Sequence, residues 1–268
     1  MKLILIILLT GHILGDYYVQ TERMAELKEK DGKVLRMHCL TYGLPFLFSW
    51  FLFGLDLGLL GVFAAAVLLH GVIDLGKAQL VQKLKHKLEL ETRRDAGIYV
   101  LDQGIHWLLL FVTAYLFREV ASDIAPFGFL AGILKELGIP WHRPLQWILA
   151  LVLIYRPSNI TFQKLFSIYK PQPELEDDLM PTISGTRQEK LKAGGIIGGL
   201  EKFISLIFLA SGQYMAIGLV LTAKSIARYD KISKSSTFAE YYLIGTLASL
   251  IMVLLIYGLV FLLLEPGL

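Results

Sequence analysis

Long apolar segments, set apart by short polar stretches, dominate the chain. The first runs over about Leu3–Gln20, and a polar stretch from Thr21 to Arg36 follows it. Further segments cover about Met37–Phe53, Leu59–Val81, Ala96–Phe117, Trp141–Tyr155 and Tyr241–Leu264. Their lengths sit near the ~20 apolar residues with which a helix crosses a bilayer. Gly54-Leu55-Asp56-Leu57-Gly58 reads as a tight turn between two of them. The apolar piece Ile124–Leu134 is too short to cross and is expected to lie at the interface. The loop before Lys192, with Pro171, Pro173 and the acidic run Glu174, Glu176, Asp177, Asp178, is the least structured part by composition. Gly194–Ala227 reads either as one long helix or as two helices broken at Ser211-Gly212-Gln213.

Charge placement decides that last point. Lys and Arg collect after the first segment (Arg23, Lys28, Lys30, Lys33, Arg36) and after the third (Lys83, Lys85, Lys87, Arg93, Arg94). The loop after the fifth segment is basic as well, so all three are expected on the cytoplasmic side. The N-terminus is then outside. Lys224, Arg228, Lys231 and Lys234 belong on the cytoplasmic side too, which requires two crossings before Lys224. The stretch is therefore split into about Gly194–Ala210 and Gln213–Ala227. The expectation is an all-α polytopic integral membrane bundle of about eight transmembrane helices, or seven if the stretch is one helix. Three parts are distinguished: a four-helix domain over 1–118, a linker with one helix and the acidic loop over 119–192, and the C-terminal helices over 193–268.

Composition agrees. Of 268 residues, 55% are hydrophobic and 18% charged, against about 25% charged in soluble domains; mean hydropathy is +0.58. The net charge of +3 says little, since placement matters more than the sum. Cys39 is the single cysteine, which excludes an internal disulfide framework and a cysteine-rich zinc site. Met1-Lys2 before an apolar run resembles a signal peptide. His12 and Asp16 interrupt that run and no small-residue cleavage site follows, so a retained helix is expected. The expected setting is a membrane, with membrane lipids as neighbours and no sign of nucleic-acid binding.

The chemistry lies in ionisable residues inside the apolar segments. His12 and Asp16 are four residues apart, as are His70 and Asp74, and Asp102 and His106; His38 heads another segment. Each pair shares one helix face and spans about 6 Å along the axis. The charge-based topology puts all seven residues at a similar level near the cytoplasmic face. Ionisable groups in a bilayer are expensive and mark sites by default. Imidazole and carboxylate without thiolate suit a divalent ion, zinc or manganese, and helix-borne His and acidic ligands build dinuclear sites in bundles. His12, Asp16, His70, Asp74, Asp102 and His106 are the candidate metal ligands. His38 and Asp74 are the candidate catalytic residues, His38 as ligand or general base. Gln20, Lys77 and Gln103 lie within a turn and could orient ligands or substrate.

Two other readings stay open: a proton or ion relay through the same residues, and a structural network of buried pairs. The sequence is nearly free of polar residues in the outer half, which favours an enzyme or closed site over a transporter. A second constellation comprises Glu201, Lys202, Lys224 and Arg228. Lys224 and Arg228 could take a substrate phosphate, although anchoring and an ion pair to Glu201 explain them more simply. Gly194-Gly195-Ile196-Ile197-Gly198-Gly199 is best explained by close helix packing. His86 and His142 read as ordinary surface residues.

His12-Ile-Leu-Gly-Asp16 with Gln20, then His38, His70-Gly-Val-Ile-Asp74 with Lys77, and Asp102-Gln103 with His106 resemble the bacterial membrane family labelled domain of unknown function 3307. The resemblance covers about residues 1–118. Downstream, Gly198-Gly-Leu-Glu201, Ala223-Lys-Ser-Ile-Ala-Arg228 and Glu240-Tyr-Tyr-Leu-Ile-Gly-Thr246 resemble stretches of longer members. That family label implies no activity. The scattered His and Asp are also similar, by residue type alone, to membrane-bound metal-dependent hydrolases. The functional expectation is a metal-dependent membrane hydrolase acting on a lipid-linked, amphiphilic or phosphate-bearing substrate.

Overall fold

The computed structural model describes residues 1–85, 92–120, 124, 128–166, 169 and 187–266. Every regular element among them is helical. The chain divides into two compact units, one of Met1–Val152 with Leu263–Leu268 and one of Leu153–Leu262.

In the first unit α1 (Lys2–Leu14) is central. Ile4, Ile6 and Leu8 have no exposed surface, and a helix apolar on every side is stable only when surrounded. It packs against α4 (Leu44–Leu52) and α6 (Thr92–Leu116). The long α5 (Leu57–Lys85) lies against α6, α4 and α3 (Gly32–Tyr42). The short α2 (Glu22–Leu27) is capped by the Thr21 hydroxyl, which accepts from the Met24 N–H at 3.2 Å. Asp31 caps α3 in the same way through the Lys33 N–H at 2.7 Å. α7 (Gly128–Glu136) and the first part of α8 (His142–Phe166) complete this unit. The second unit holds the rest of α8, α9 (Arg187–Ala210), α10 (Tyr214–Ala227), α11 (Tyr229–Lys234) and α12 (Ser236–Tyr257), which runs on into a π turn, Gly258–Leu263. There α9 packs against α10 and α12.

Among the described residues, four helices are long and apolar enough to cross a membrane: Lys2–Val19, Leu57–Val81, Ala96–Leu116 and Ser236–Leu263. Their outer faces carry large aliphatic side chains. Leu57, Leu68 and Val72 of α5 are 78%, 70% and 66% exposed, and Leu101 and Leu116 of α6 are 65% and 66% exposed. Within these spans His12, Asp16, His70, Asp74 and His106 are buried while large aliphatic side chains face out, the reverse of a water-soluble helix bundle. This is the pattern of a membrane helical protein.

The other expected spans differ from the sequence reading. Met37–Phe53 is broken at Gly43 into helices of 11 and 9 residues. Pro45 explains the break, because it removes a helix hydrogen bond and its ring crowds the preceding turn. α8 does not close at Arg156-Pro157-Ser158-Asn159 but continues to Phe166 with Pro157 inside it. The Ser158 hydroxyl donates to the Ile154 carbonyl in the same turn. α8 and α9 are long, but Arg156 and Lys164, or Glu201 and Lys202, interrupt them. α10 is apolar but only 14 residues long. The expected division of Gly194–Ala227 is present: Ala210 ends α9, Gly212 has φ +70, and Tyr214 opens α10. The short apolar piece is helical over Gly128–Glu136. Gly54 and Leu55 form the expected turn with φ +80 and +60. His86, Lys87 and the acidic run at Glu174, Glu176, Asp177 and Asp178 lie outside the described residues.

Candidate functional site

The site begins at the end of α1, where Gly15–Val19 forms a π turn closed by the Gln20 N–H to the Gly15 carbonyl at 3.2 Å. Such single π turns recur at functional sites. Here the wider turn carries Asp16. Gly11 and Gly15 flank His12 and let two rings approach the helix: a Cβ on Gly11 would lie 2.7 Å from the Phe46 ring, and one on Gly15 closer still to the Tyr42 ring. Tyr42 is therefore held against α1. Its ring stacks on His70, with centroids 3.6 Å apart and planes 3° apart, and its hydroxyl is 3.1 Å from His12 Nδ1. One tyrosine thus ties α3 to the His-bearing faces of α1 and α5.

All seven predicted His and Asp residues meet in one cluster inside the first unit. His38 Nε2 lies 3.1 Å from His70 Nε2. Asp16 Oδ1 is 3.4 Å from each of them. Asp74 Oδ2 is 3.2 Å from His38 Nε2 and 3.7 Å from His70 Nε2. The other Asp74 oxygen, Oδ1, faces His106 Nε2 at 3.8 Å. His106 Nδ1 donates to the Asp102 carbonyl at 2.9 Å and is 3.8 Å from Asp102 Oδ1. The His12 and His106 rings stack at 5.3 Å. His12, His38, His70, Asp74 and His106 are at most 3% exposed, and Asp16 is 9% exposed. Several of their polar atoms are buried without a hydrogen-bond partner, among them Asp16 Oδ1, Asp74 Oδ1, Asp102 Oδ1 and His106 Nε2. Lone pairs that face one another in a buried site call for a cation or proton between them. Among the described residues, three overlapping groups could each hold a metal ion: His12, Asp16 and His70; His38, His70 and Asp74; and Asp74, Asp102 and His106.

Two lysines edge the cluster. Lys28 Nζ donates to Asp74 Oδ2 at 2.9 Å and lies 3.3 Å from His38 Nε2. Lys77 Nζ lies between Asp102 Oδ2 at 3.1 Å and Glu29 Oε1 at 3.3 Å. With neutral imidazoles, the carboxylates of Asp16, Asp74, Asp102 and Glu29 outweigh the ammonium groups of Lys28 and Lys77 by two charges. Lys28 and Tyr42 were not among the residues read from the sequence. Lys28 counted there only toward the basic loop, and its reach depends on the fold of α2. Tyr42 had a usable signal, since it lies one turn after His38 on the same face of α3.

The expected substrate residues separate. Lys77, Gln103 and Gln20 belong to this unit. Gln103 Nε2 donates to Asp102 Oδ2 at 3.4 Å, and the Gln20 and Gln103 carbonyl oxygens are buried without partners. Lys224 and Arg228 belong to the second unit. There Lys224 pairs with Glu201 at 2.6 Å and lies over the Tyr242 ring. Buried Lys202 bonds Ser158 and Asn159. Of Gly195, Gly198 and Gly199, only Gly199 has a close neighbour, the Tyr155 ring, so tight packing accounts for one glycine of the run. His142 is not a free surface residue: it lies 3.6 Å from Glu265, which Arg143 also approaches at 3.1 Å.

Residues 4–127 match the family model described as Protein of unknown function (DUF3307). This part of the chain is similar to the DUF3307 family. The matched range contains all seven clustered His and Asp residues together with Lys28 and Tyr42, so the whole cluster lies within the DUF3307 match. The C-terminal stretches from Gly198 to Thr246 lie beyond the DUF3307 match, as do Lys224 and Arg228. No curated protein and no solved structure matches the chain.

Proposed function

We propose that the buried cluster is a divalent-metal centre and that the protein is a metal-dependent hydrolase of lipid-linked or amphiphilic substrates. One observation carries the reading. His38 Nε2, His70 Nε2, Asp16 Oδ1 and Asp74 Oδ2 are spaced by 3.1, 3.2, 3.4, 3.4 and 3.7 Å over five of their six pairs. A tetrahedral zinc-like ion with ligands about 2.0–2.1 Å away has ligand–ligand edges of about 3.3–3.4 Å. The excess of two negative charges is what one divalent ion neutralises. In this reading Asp16, His70 and Asp74 are ligands. His38 also turns its Nε2 toward the ligand set, which favours the ligand role over that of a free general base. His12, Asp102 and His106 complete the polar wall around it. Such an ion, when bound, supplies Lewis acidity and an activated water near neutral pH.

The substrate class follows from the surroundings. The helices that carry the cluster present exposed leucines outward, so a molecule held in the bilayer reaches the site more readily than a freely soluble one. The proposal includes the cytoplasm-facing, eight-crossing arrangement in a bacterial inner membrane that the basic loops support. A relay remains the second reading, favoured by the contacts from Lys28 to His38 and from His38 to His70.

Elemental analysis tests the proposal. Detergent-purified protein loaded with zinc or manganese and then desalted should retain metal in stoichiometric amount and hydrolyse a phospholipid or lipid diphosphate in a chelator-sensitive manner. Protein that stays metal-free after loading removes the hydrolase reading and leaves the relay and the structural network.

A further inference from the structure

We infer that the centre takes a second divalent ion, held by Asp74 Oδ1, His106 Nε2 and Asp102 Oδ1, with Asp74 bridging the two ions through its two oxygens. The inference rests on the metal-centre reading above. Its motive is a pattern shared by three residues. Each has one heteroatom tied to the protein and the other buried with no partner. Asp74 Oδ2 is held by Lys28 at 2.9 Å, and its Oδ1 has no hydrogen bond. Asp102 Oδ2 accepts from Lys77 at 3.1 Å and from Gln103 at 3.4 Å, and its Oδ1 has none. His106 Nδ1 faces the Asp102 carbonyl at 2.9 Å. A carbonyl only accepts, so that nitrogen carries the proton, and Nε2 of the neutral ring is a bare lone pair.

That lone pair points at another one. His106 Nε2 and Asp74 Oδ1 are 3.8 Å apart, too far for a hydrogen bond. A cation about 2.1 Å from each fits between them with an open ligand–metal–ligand angle. Asp74, Asp102 and His106 each offer a ligand atom within 4.8 Å of the others. Holding one atom of each ligand with a partner outside the metal shell is how proteins orient metal ligands. Lys77, Gln103 and the Asp102 backbone do so here. The two oxygens of Asp74 face different groups, Oδ2 toward His38 and His70 and Oδ1 toward His106. That is the arrangement of a bridging carboxylate in helix-borne dinuclear sites.

The second ion also narrows the substrate. One divalent ion balances the local excess of two negative charges; a second leaves the site positive. An anionic phosphoryl group is attracted to such a pair, and two ions about 3.5–4 Å apart clamp phosphoryl oxygens. The substrate class is therefore a phosphate-bearing amphiphile.

The test is manganese titration of the full-length protein in detergent, read by mass spectrometry and electron paramagnetic resonance. Two ions per chain with an exchange-coupled signal are expected. His106→Gln should bind one ion with an uncoupled signal while its metal-free melting temperature stays within a few degrees of wild type. Asp102→Asn provides the same reading if His106→Gln does not fold. Wild-type protein that saturates at one ion overturns the second site and leaves the metal centre standing. Two uncoupled ions overturn the Asp74 bridge. No bound ion overturns the metal centre itself, and this inference with it.

Discussion

Lys28 reaches the cluster from outside the apolar segments, and its ammonium group sits on the oxygen that a metal ion would share with His38. Lysine and metal therefore compete for Asp74 Oδ2. In Lys28→Met the metal-free protein keeps Asp74 buried without its cation, a loss of about 3–5 kcal/mol for a broken buried pair. Zinc should raise the melting temperature of this variant more than that of wild type. Equal zinc shifts in the two proteins would show that Lys28 and the ion do not share the carboxylate. Asp74→Asn makes the complementary case. It preserves size and hydrogen bonding but removes the anionic oxygen that a divalent ion prefers. Metal content should fall by tenfold or more, while stability falls less, because Lys28 is partly exposed and can turn to solvent. A large stability loss in a protein that never held metal would instead identify His70, Asp74 and Lys28 as a structural network.

Among the elements, the contact between α1 and the α3–α4 pair positions the cluster. Gly15 lets the Tyr42 ring lie on α1, and Tyr42 in turn stacks on His70. Gly15→Ala should displace that ring and cost about 1–3 kcal/mol, as overpacking does, with weaker metal binding because His70 loses its platform. Gly61→Ala on α5 is the control: its Cβ meets nothing within 4 Å. There the exchange should be neutral or stabilise by up to about 1 kcal/mol through helix propensity. Thermal unfolding in detergent compares the two. Equal effects would mean that the close approach of Tyr42 does not govern this junction. The break at Gly43 belongs to the same scale, since it sets α3, with His38 and Tyr42, apart from the apolar α4.

Across the whole molecule, buried His and Asp and exposed leucines suit an apolar surrounding, and the side on which each loop lies is expected from its basic residues. In a chain whose Cys39 has been replaced, single cysteines at Asp177→Cys and Lys231→Cys should react from the cytoplasmic side, and Pro266→Cys from the opposite side. Reaction of position 231 from outside would remove one of the two crossings assigned to α9 and α10. The loop that carries Asp177 and the helices that flank Lys231 then could not share a side.

Local pattern determined a good deal. Helical class follows from uninterrupted apolar length. The break before Tyr214 follows from Gly212, whose φ of +70 suits glycine. The seven His and Asp residues stand out because an ionisable group within an apolar segment is costly wherever the helix goes. Spacing of four residues puts each pair on one face, and the topology expected from the basic loops puts the faces at one level, in keeping with the cluster in the structure. Other features depend on neighbours distant in sequence. That Asp74 divides its oxygens between His38 and His106, that His106 turns a lone pair inward, and that Lys28 closes one edge depend on how α2, α3, α5 and α6 approach one another. A side chain's direction within its helix is fixed by the atoms it packs against, and for these residues those atoms come from other helices.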